Sequence, residues 1–235
     1  MNKEEILKLF YKDKNYSKIK ELLENSDESW SFNILGDIAL QEVEPEKAFE
    51  YYNKAENIFG CAYCKFLQGD LEEARILATL IRNSSPSADW LYSIINLLLD
   101  NLSFLPSYFQ IRNFYEQDLE MLHKYNQQKI IDKLLTITPL LSNMNREIYK
   151  YSARVLYNNK YYEQAKQLLL KSLDIWYKDP ETHYLLGEIY EKEKEFDKAI
   201  KSYQKSNEAT GEYAPAIRKI NLLTNWLYNL YYRVK

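Results

Sequence analysis

The chain has 235 residues, 46% of them hydrophobic and 28% charged, and a formal net charge of -3. This balance is typical of a folded protein, so disorder is excluded, and the basic excess expected of a nucleic-acid-binding protein is missing. Two cysteines, no apolar run at the N-terminus and no apolar stretch of spanning length predict no disulfide framework, no signal peptide and no membrane span. We therefore expect a cytoplasmic protein.

The first 100 residues predict a series of antiparallel helix hairpins. Apolar side chains recur at helical spacing in residues 3–12 and again in 15–26, which predicts the first hairpin. In the next two hairpins the small residues Ala48 and Ala74 are only 26 positions apart. The third hairpin, which turns at Gly69, must therefore have shortened helices.

The middle of the chain departs from this pattern. Residues 101–105 interrupt the helical spacing, and Pro106 is expected to start a long helix that runs through Tyr125. Lys129 to Ile137 would form its partner helix, with Pro139 closing it. We assign 101–145 to an insertion followed by a divergent helical repeat.

Residues 180–213 carry the clearest pattern in the chain. Leu186 and Gly187 are followed by an aromatic residue, Tyr190, and later by a small one, Ala199, and another aromatic, Tyr203. The positions 34 residues earlier have small residues where this segment has small ones and large residues where it has large ones. The matching positions are Tyr149, Ala153, Leu156, Tyr162, Ala165 and Leu169.

This pattern resembles the tetratricopeptide repeat (TPR), from which the chain departs at His183, usually Trp, and at Gly211, usually Pro. The resemblance implies an all-α fold, a right-handed superhelical α-solenoid of antiparallel helix hairpins with a C-terminal capping helix. Residues 146–213 would be two regular repeats and 214–235 the cap.

No catalytic chemistry can be assigned to the sequence. Cys61 and Cys64 form a C-x-x-C motif but fall at apolar repeat positions, with no second ligand pair for a metal, so we interpret them as core residues. His123 and His183 are far apart in sequence, and we expect structural roles for both. We predict no enzyme activity, no cofactor and no metal.

A binding surface is the remaining functional candidate. The resemblance implies that the first helix of each hairpin lines an inner wall, where a peptide would bind; the alternative is a wall that is only solvated. Arg154 and Glu188 stand where relatives that clamp a C-terminal carboxylate have asparagines, which argues against that ligand. The expected inner residues are Glu147, Lys150, Arg154, Tyr157, Asn158, Glu181, Tyr184, Glu188, Glu191 and Lys192.

The terminal helix adds two apolar candidates to this wall, Leu222 and Trp226. They fall outside the stripe expected to dock on the preceding hairpin. Trp226 is either an interface anchor or a plug for the end of the core. This helix is also a candidate surface for homo-oligomerisation. The docking stripe is Ile220, Leu223, Leu227, Leu230 and Val234.

These observations favour a non-enzymatic adaptor that binds a peptide or protein segment in a concave groove of its repeats. The alternative is a regulatory or accessory subunit of an enzyme or signalling assembly, such as a glycosyltransferase system, with the insertion near 101–111 as a hinge.

Overall fold

The computed structural model describes residues 3–233, with side chains described from 3 to 226. These residues form helices and connecting turns with no strand, so the prediction of an all-α fold is confirmed. Two short π-helical segments, Leu9–Asp13 and Ile111–Tyr115, continue neighbouring helices. The α-helices are α1 (Lys3–Lys8), α2 (Tyr16–Leu23), α3 (Ser29–Gln41), α4 (Pro45–Lys54), α5 (Ile58–Gln68), α6 (Leu71–Leu80), α7 (Pro86–Leu98), α8 (Tyr108–Gln110), α9 (Glu116–Lys124), α10 (Gln128–Ser142), α11 (Ile148–Asn158), α12 (Tyr162–Ile175), α13 (Pro180–Lys192), α14 (Phe196–Thr210) and α15 (Ala214–Arg233).

The helices divide between two compact units. Unit 1 comprises residues 1–106 and 121–134, and unit 2 comprises residues 107–120 and 135–235. Within each unit, consecutive helices pack as antiparallel hairpins, which is the arrangement of an α-solenoid.

Unit 1 begins with the predicted first hairpin. Ile6 and Ile19, from its two helices, are fully buried and share a cluster with Ile38 of the next hairpin. A segment later in the chain completes the unit, because the Tyr125 hydroxyl donates to the Leu40 carbonyl at 2.9 Å. The two helices of the first hairpin therefore share one apolar cluster.

The third hairpin is compressed, as the 26-residue interval predicts. Its helices α5 and α6 have 11 and 10 residues, and Gly69 between them has a φ of 86°, which favours glycine. A Cβ on Gly60 would lie 2.4 Å from the ring of Tyr52, so this helix approaches the preceding one closely.

Two expectations for the middle segment are wrong. Helix α8 begins at Tyr108 rather than Pro106, because Ser107 caps it through a reciprocal pair of bonds with Gln110. Helix α10 continues through Pro139 to Ser142 rather than ending there. Proline costs a helix one hydrogen bond, but the last turn is retained because Leu141 is fully buried.

The 34-residue period of the sequence is visible in the backbone. Asn126, Lys160 and Lys194 each occupy the left-handed region, with φ of 55°, 69° and 62°. Each follows the previous one by 34 residues and ends the first helix of a hairpin. The turn at Asn126 therefore has the same backbone conformation as the turns at Lys160 and Lys194.

Unit 2 shows why the repeat pattern alternates small and large residues. A Cβ on Gly187 would lie 2.5 Å from the fully buried ring of Tyr203, so only glycine allows this approach. Helix α15 docks on the same hairpin, with Ala216 and Leu223 in the cluster of Tyr203. The stripe residues Leu227, Leu230 and Val234 lie outside the described side chains.

Candidate protein-binding surface

The first helices of the unit 2 hairpins lie side by side and are joined by polar contacts. Arg154 of α11 contacts Glu116 of α9 and Glu181 of α13, and Lys219 of α15 contacts Glu191 of α13. We call this surface the first-helix wall. It consists of Glu116, Glu120, Glu147, Lys150, Arg154, Tyr157, Asn158, Glu181, Tyr184, Glu188, Glu191 and Lys219.

Lys150 is the buried member of this wall and is only 5% exposed. Its Nζ contacts Glu147 at 2.9 Å, Asp179 at 3.0 Å and Glu181 at 3.4 Å. Burial by itself lowers the pKa of this ammonium, but the carboxylates outweigh burial and leave the pKa raised. Lys150 is therefore a charged residue that fixes α11 against the start of α13.

Arg154 bridges three successive helices. Its Nη1 lies 3.1 and 3.0 Å from the two carboxylate oxygens of Glu116, and its Nη2 lies 2.7 Å from Glu181. The pKa of Glu116 is nevertheless raised, first by burial and then by nearby Glu120 and Glu181, against the lowering effect of Arg154. Arg154 therefore joins α9, α11 and α13 through two carboxylates.

Tyrosine hydroxyls occupy the other end of the wall. The Tyr184 hydroxyl donates to Glu188 at 3.2 Å. Burial raises the pKa of Tyr157, and the charge of Glu188 raises it further. Both side chains are half-buried, so each remains partly accessible to solvent beside a carboxylate.

Glu191 is already occupied by its own chain. It accepts the Tyr203 hydroxyl at 2.8 Å and contacts Lys219 Nζ at 2.9 Å. Burial raises the pKa of Glu191, but Lys219 and Tyr203 outweigh it, so the net pKa is lowered. Lys192 is exposed, with its ammonium 5.6 Å from the ring centre of Tyr162.

Negative charge predominates on the wall. Its six glutamates outnumber Lys150, Arg154 and Lys219. The glutamates remain in excess when Lys192 is included. Glu120 is exposed and accepts only the Asn158 amide, at 3.4 Å.

The two apolar candidates on α15 are both exposed. Leu222 is 67% exposed and Trp226 is 47% exposed, with its ring 4.9 Å from that of Phe196 at the start of α14. Trp226 is therefore not a fully buried plug. Its role in binding stays a prediction.

Three wall residues were missed by the sequence reasoning: Glu116, Glu120 and Lys219. Glu116 and Glu120 lie 34 residues before Lys150 and Arg154, so extending the period one repeat further would have found them. Lys219 follows the last hairpin, and its position relative to Glu191 depends on how α15 docks.

The other sequence candidates lie in the core. Cys61 and Cys64 are buried, and burial raises the pKa of both thiols, that of Cys64 to about 12. His183 is buried, with Nε2 2.8 Å from the Tyr177 carbonyl. Within residues 3–233, no three His, Cys, Asp or Glu side chains are grouped as a metal site would require. None of the described helices is both long and apolar enough to cross a bilayer.

Residues 180–213, which form α13, α14 and their flanking turns, match the family model of the tetratricopeptide repeat. Human E3 SUMO-protein ligase RanBP2 is 33% identical over 70 residues, 30% of this chain and 2% of that protein. Human RANBP2-like and GRIP domain-containing protein 8 is 27% identical over 97 residues, 41% of this chain and 5% of that protein. The chain thus matches only a small part of these relatives.

Solved TPR structures are similar at low identity. The Cut9–Hcn1 hetero-tetramer of APC/C gives 16% identity, covering 93% of this chain and 48% of that chain, with a TM-score of 0.41. YrrB, described as a TPR protein with an unusual peptide-binding site, gives 13% identity, 87% and 97% coverage and a TM-score of 0.36.

The hairpin that matches the family model is also the one in which Gly187 packs against Tyr203 and the left-handed turn residue follows the 34-residue period. Members of this repeat family are in general non-enzymatic protein-interaction scaffolds. Residues 180–213 of this chain therefore match the tetratricopeptide repeat, within an all-helical fold.

Proposed function

We propose that the protein is an adaptor whose first-helix wall binds an extended, basic segment of a protein partner. The observation that carries this proposal is the excess of carboxylates on the wall, beside half-buried tyrosine rings. Lysine or arginine side chains of a partner would supply the missing positive charge.

The carboxylates differ in how available they are. Glu147 and Glu191 are held by Lys150 and Lys219 at 2.9 Å, so they are occupied. Glu120 has no cation within contact distance among the described residues, and Glu188 has only Lys219, at 3.7 Å. We assign direct contact with the partner to Glu120 and Glu188.

The tyrosines would give the surface its preference for a peptide over a free ion. Tyr157 and Tyr184 flank Glu188, so a cation held by this carboxylate lies beside aromatic rings. Cations are attracted to ring faces, and the aliphatic stem of lysine or arginine packs on the same surface.

The wall also supports binding by being preformed. Lys150 and Arg154 connect α9, α11 and α13 through carboxylate contacts, so few side chains need to be ordered when a partner binds. In this proposal they position the wall rather than contact the partner. Four neighbouring helices at about 8–10 Å spacing match about eight or nine extended residues.

The test is fluorescence anisotropy with a labelled peptide of about ten residues in which lysine and arginine alternate with neutral residues. We expect saturable binding that weakens with added salt, because exposed charges are screened. A peptide with glutamine at each basic position should bind at least about tenfold more weakly.

The double variant Glu120→Gln/Glu188→Gln should weaken binding about tenfold while keeping the shape of the wall. Glu24→Gln/Glu50→Gln is the matched control, since both residues are exposed in unit 1 and the net charge changes equally. Equal losses in both variants, or equal binding of the glutamine peptide, would contradict the proposal.

A further inference from the structure

A second polar site lies in unit 1, and none of its residues belongs to the first-helix wall. It is a small pocket between the start of α7 and the segment that follows this helix. Its residues come from the turn before α7, from α7 itself and from residues 103–105. The lining is Arg82, Asn83, Asp89, Tyr92, Ser93, Ser103, Phe104 and Leu105.

Two aromatic rings hold the Arg82 guanidinium in this pocket. Its central carbon lies 5.0 Å from the ring centre of Tyr92 and 4.7 Å from that of Phe104. The centroids of the two rings are 5.0 Å apart and their planes are at 72°, an edge-to-face pair, so the guanidinium packs against both rings. Such contacts orient the group without using its N–H donors.

These donors are not used within the described part of the chain, where Arg82 makes no hydrogen bond or ion pair. Arg75, in the preceding helix α6, has its N–H donors occupied. Its Nε and Nη2 lie 3.0 and 2.9 Å from Glu72. Arg82 is therefore an exposed cation that is fixed in place but has no anionic partner.

The rest of the lining limits the ligand that this cation can hold. The hydroxyl of Ser103 is an additional donor at the exposed side, and Ser93 lies buried at the base. Asp89 is the one carboxylate, and its Oδ1 already accepts the Asn83 backbone N–H at 2.6 Å. One guanidinium beside one occupied carboxylate suits a singly charged planar anion better than a doubly charged phosphate.

We propose that this pocket binds a carboxylate of a protein partner through a two-point contact with Arg82, supported by the Ser103 hydroxyl. The carboxylate can come from a chain terminus or from an aspartate or glutamate side chain, since both have the same planar geometry. The site would give the adaptor an acid-recognising contact that is independent of the first-helix wall.

The test is an NMR titration of the full-length protein that follows the Nε–H signals of arginine. The probes are a tetrapeptide, acetyl-Gly-Ser-Gly-Ala, with a free carboxylate, its C-terminal amide, an amidated tetrapeptide with one internal glutamate, and inorganic phosphate. We expect a saturable shift at Arg82 with either carboxylate probe and none with the amide. Whichever carboxylate saturates at lower concentration identifies the source.

Arg75 is the internal control, because its ion pair with Glu72 should keep its signal unchanged. In Arg82→Lys, the backbone N–H of Ser103 reports binding. The loss of the two-point contact should weaken affinity about tenfold although the charge remains. The proposal is overturned if Arg75 shifts in parallel, if the amide binds equally, if phosphate binds more tightly than both carboxylates, or if no shift saturates.

Discussion

Replacing Gly187 by alanine tests whether close helix approach determines the repeat pattern. The new Cβ would lie 2.5, 2.6 and 2.9 Å from three ring atoms of Tyr203, whose side chain is fully buried and whose hydroxyl is held by Glu191. The ring therefore cannot move away easily. Overpacking costs about 1–3 kcal/mol, whereas Gly→Ala in a helix gains about 1 kcal/mol, so we expect a net loss of up to about 2 kcal/mol.

The preceding repeat supplies the compensating change. At the equivalent positions it has Ala153 and Leu169, both fully buried. Tyr203→Leu alone should destabilise by about 2–4 kcal/mol, because it leaves a cavity beside Gly187 and removes the hydroxyl contact. Gly187→Ala/Tyr203→Leu recreates the native pair of the other repeat, so its loss should be smaller than the sum by about 1–3 kcal/mol.

Urea denaturation, followed by the helical circular dichroism signal at 222 nm, gives the free energies of unfolding of the wild type, the two single variants and the double variant. If Gly187→Ala is about 1 kcal/mol more stable than the wild type, the gain in helix propensity is unopposed and the close approach does not constrain this position. If the two changes are additive, Gly187 and Tyr203 are not coupled, and the physical account of the repeat pattern is refuted.

Trp226→Ala should cost about 1 kcal/mol or less, because the ring is 47% exposed. The matched Trp90→Ala, at a residue 2% exposed, should cost about 3–5 kcal/mol in the same urea denaturation experiment. Burial lowers the pKa of His183, although the Tyr177 carbonyl opposes this. The unfolded chain therefore takes up the proton first, and the free energy of unfolding decreases as pH falls through about 6.5. His183→Tyr should lose less stability than the wild type between about pH 7 and pH 5. Cys61 and Cys64 should react slowly with iodoacetamide near pH 8 in the native protein and rapidly in denaturant, because burial keeps both thiols protonated; fast native labelling, read by mass spectrometry, would contradict this.

The sequence predicts the hairpins better than it predicts the polar surface. The small residue Gly187 and the large residue Tyr203 are required by close packing between two helices of one hairpin. The same small and large positions recur in the sequence period, which therefore predicts this contact. The partners of Arg154 could not be predicted in this way. Its long side chain can reach several positions on the neighbouring helices, and the relative placement of the helices determines that it contacts Glu116 and Glu181. Pro139 shows the opposite failure, where packing of the following turn overrides a local signal that normally ends a helix.

The buried contact between Lys150 and Asp179 has a consequence for how unit 2 opens. Asp179 is 2% exposed and also caps α13, accepting the Glu181 N–H at 3.2 Å and the Thr182 hydroxyl at 2.7 Å. Unfolding the last repeat alone would leave Lys150 without its buried partner, which is costly. The hairpins 146–178 and 179–213 should therefore exchange their amide hydrogens as one cooperative segment, and a fragment that begins at 180 should be less stable than its repeat signature suggests.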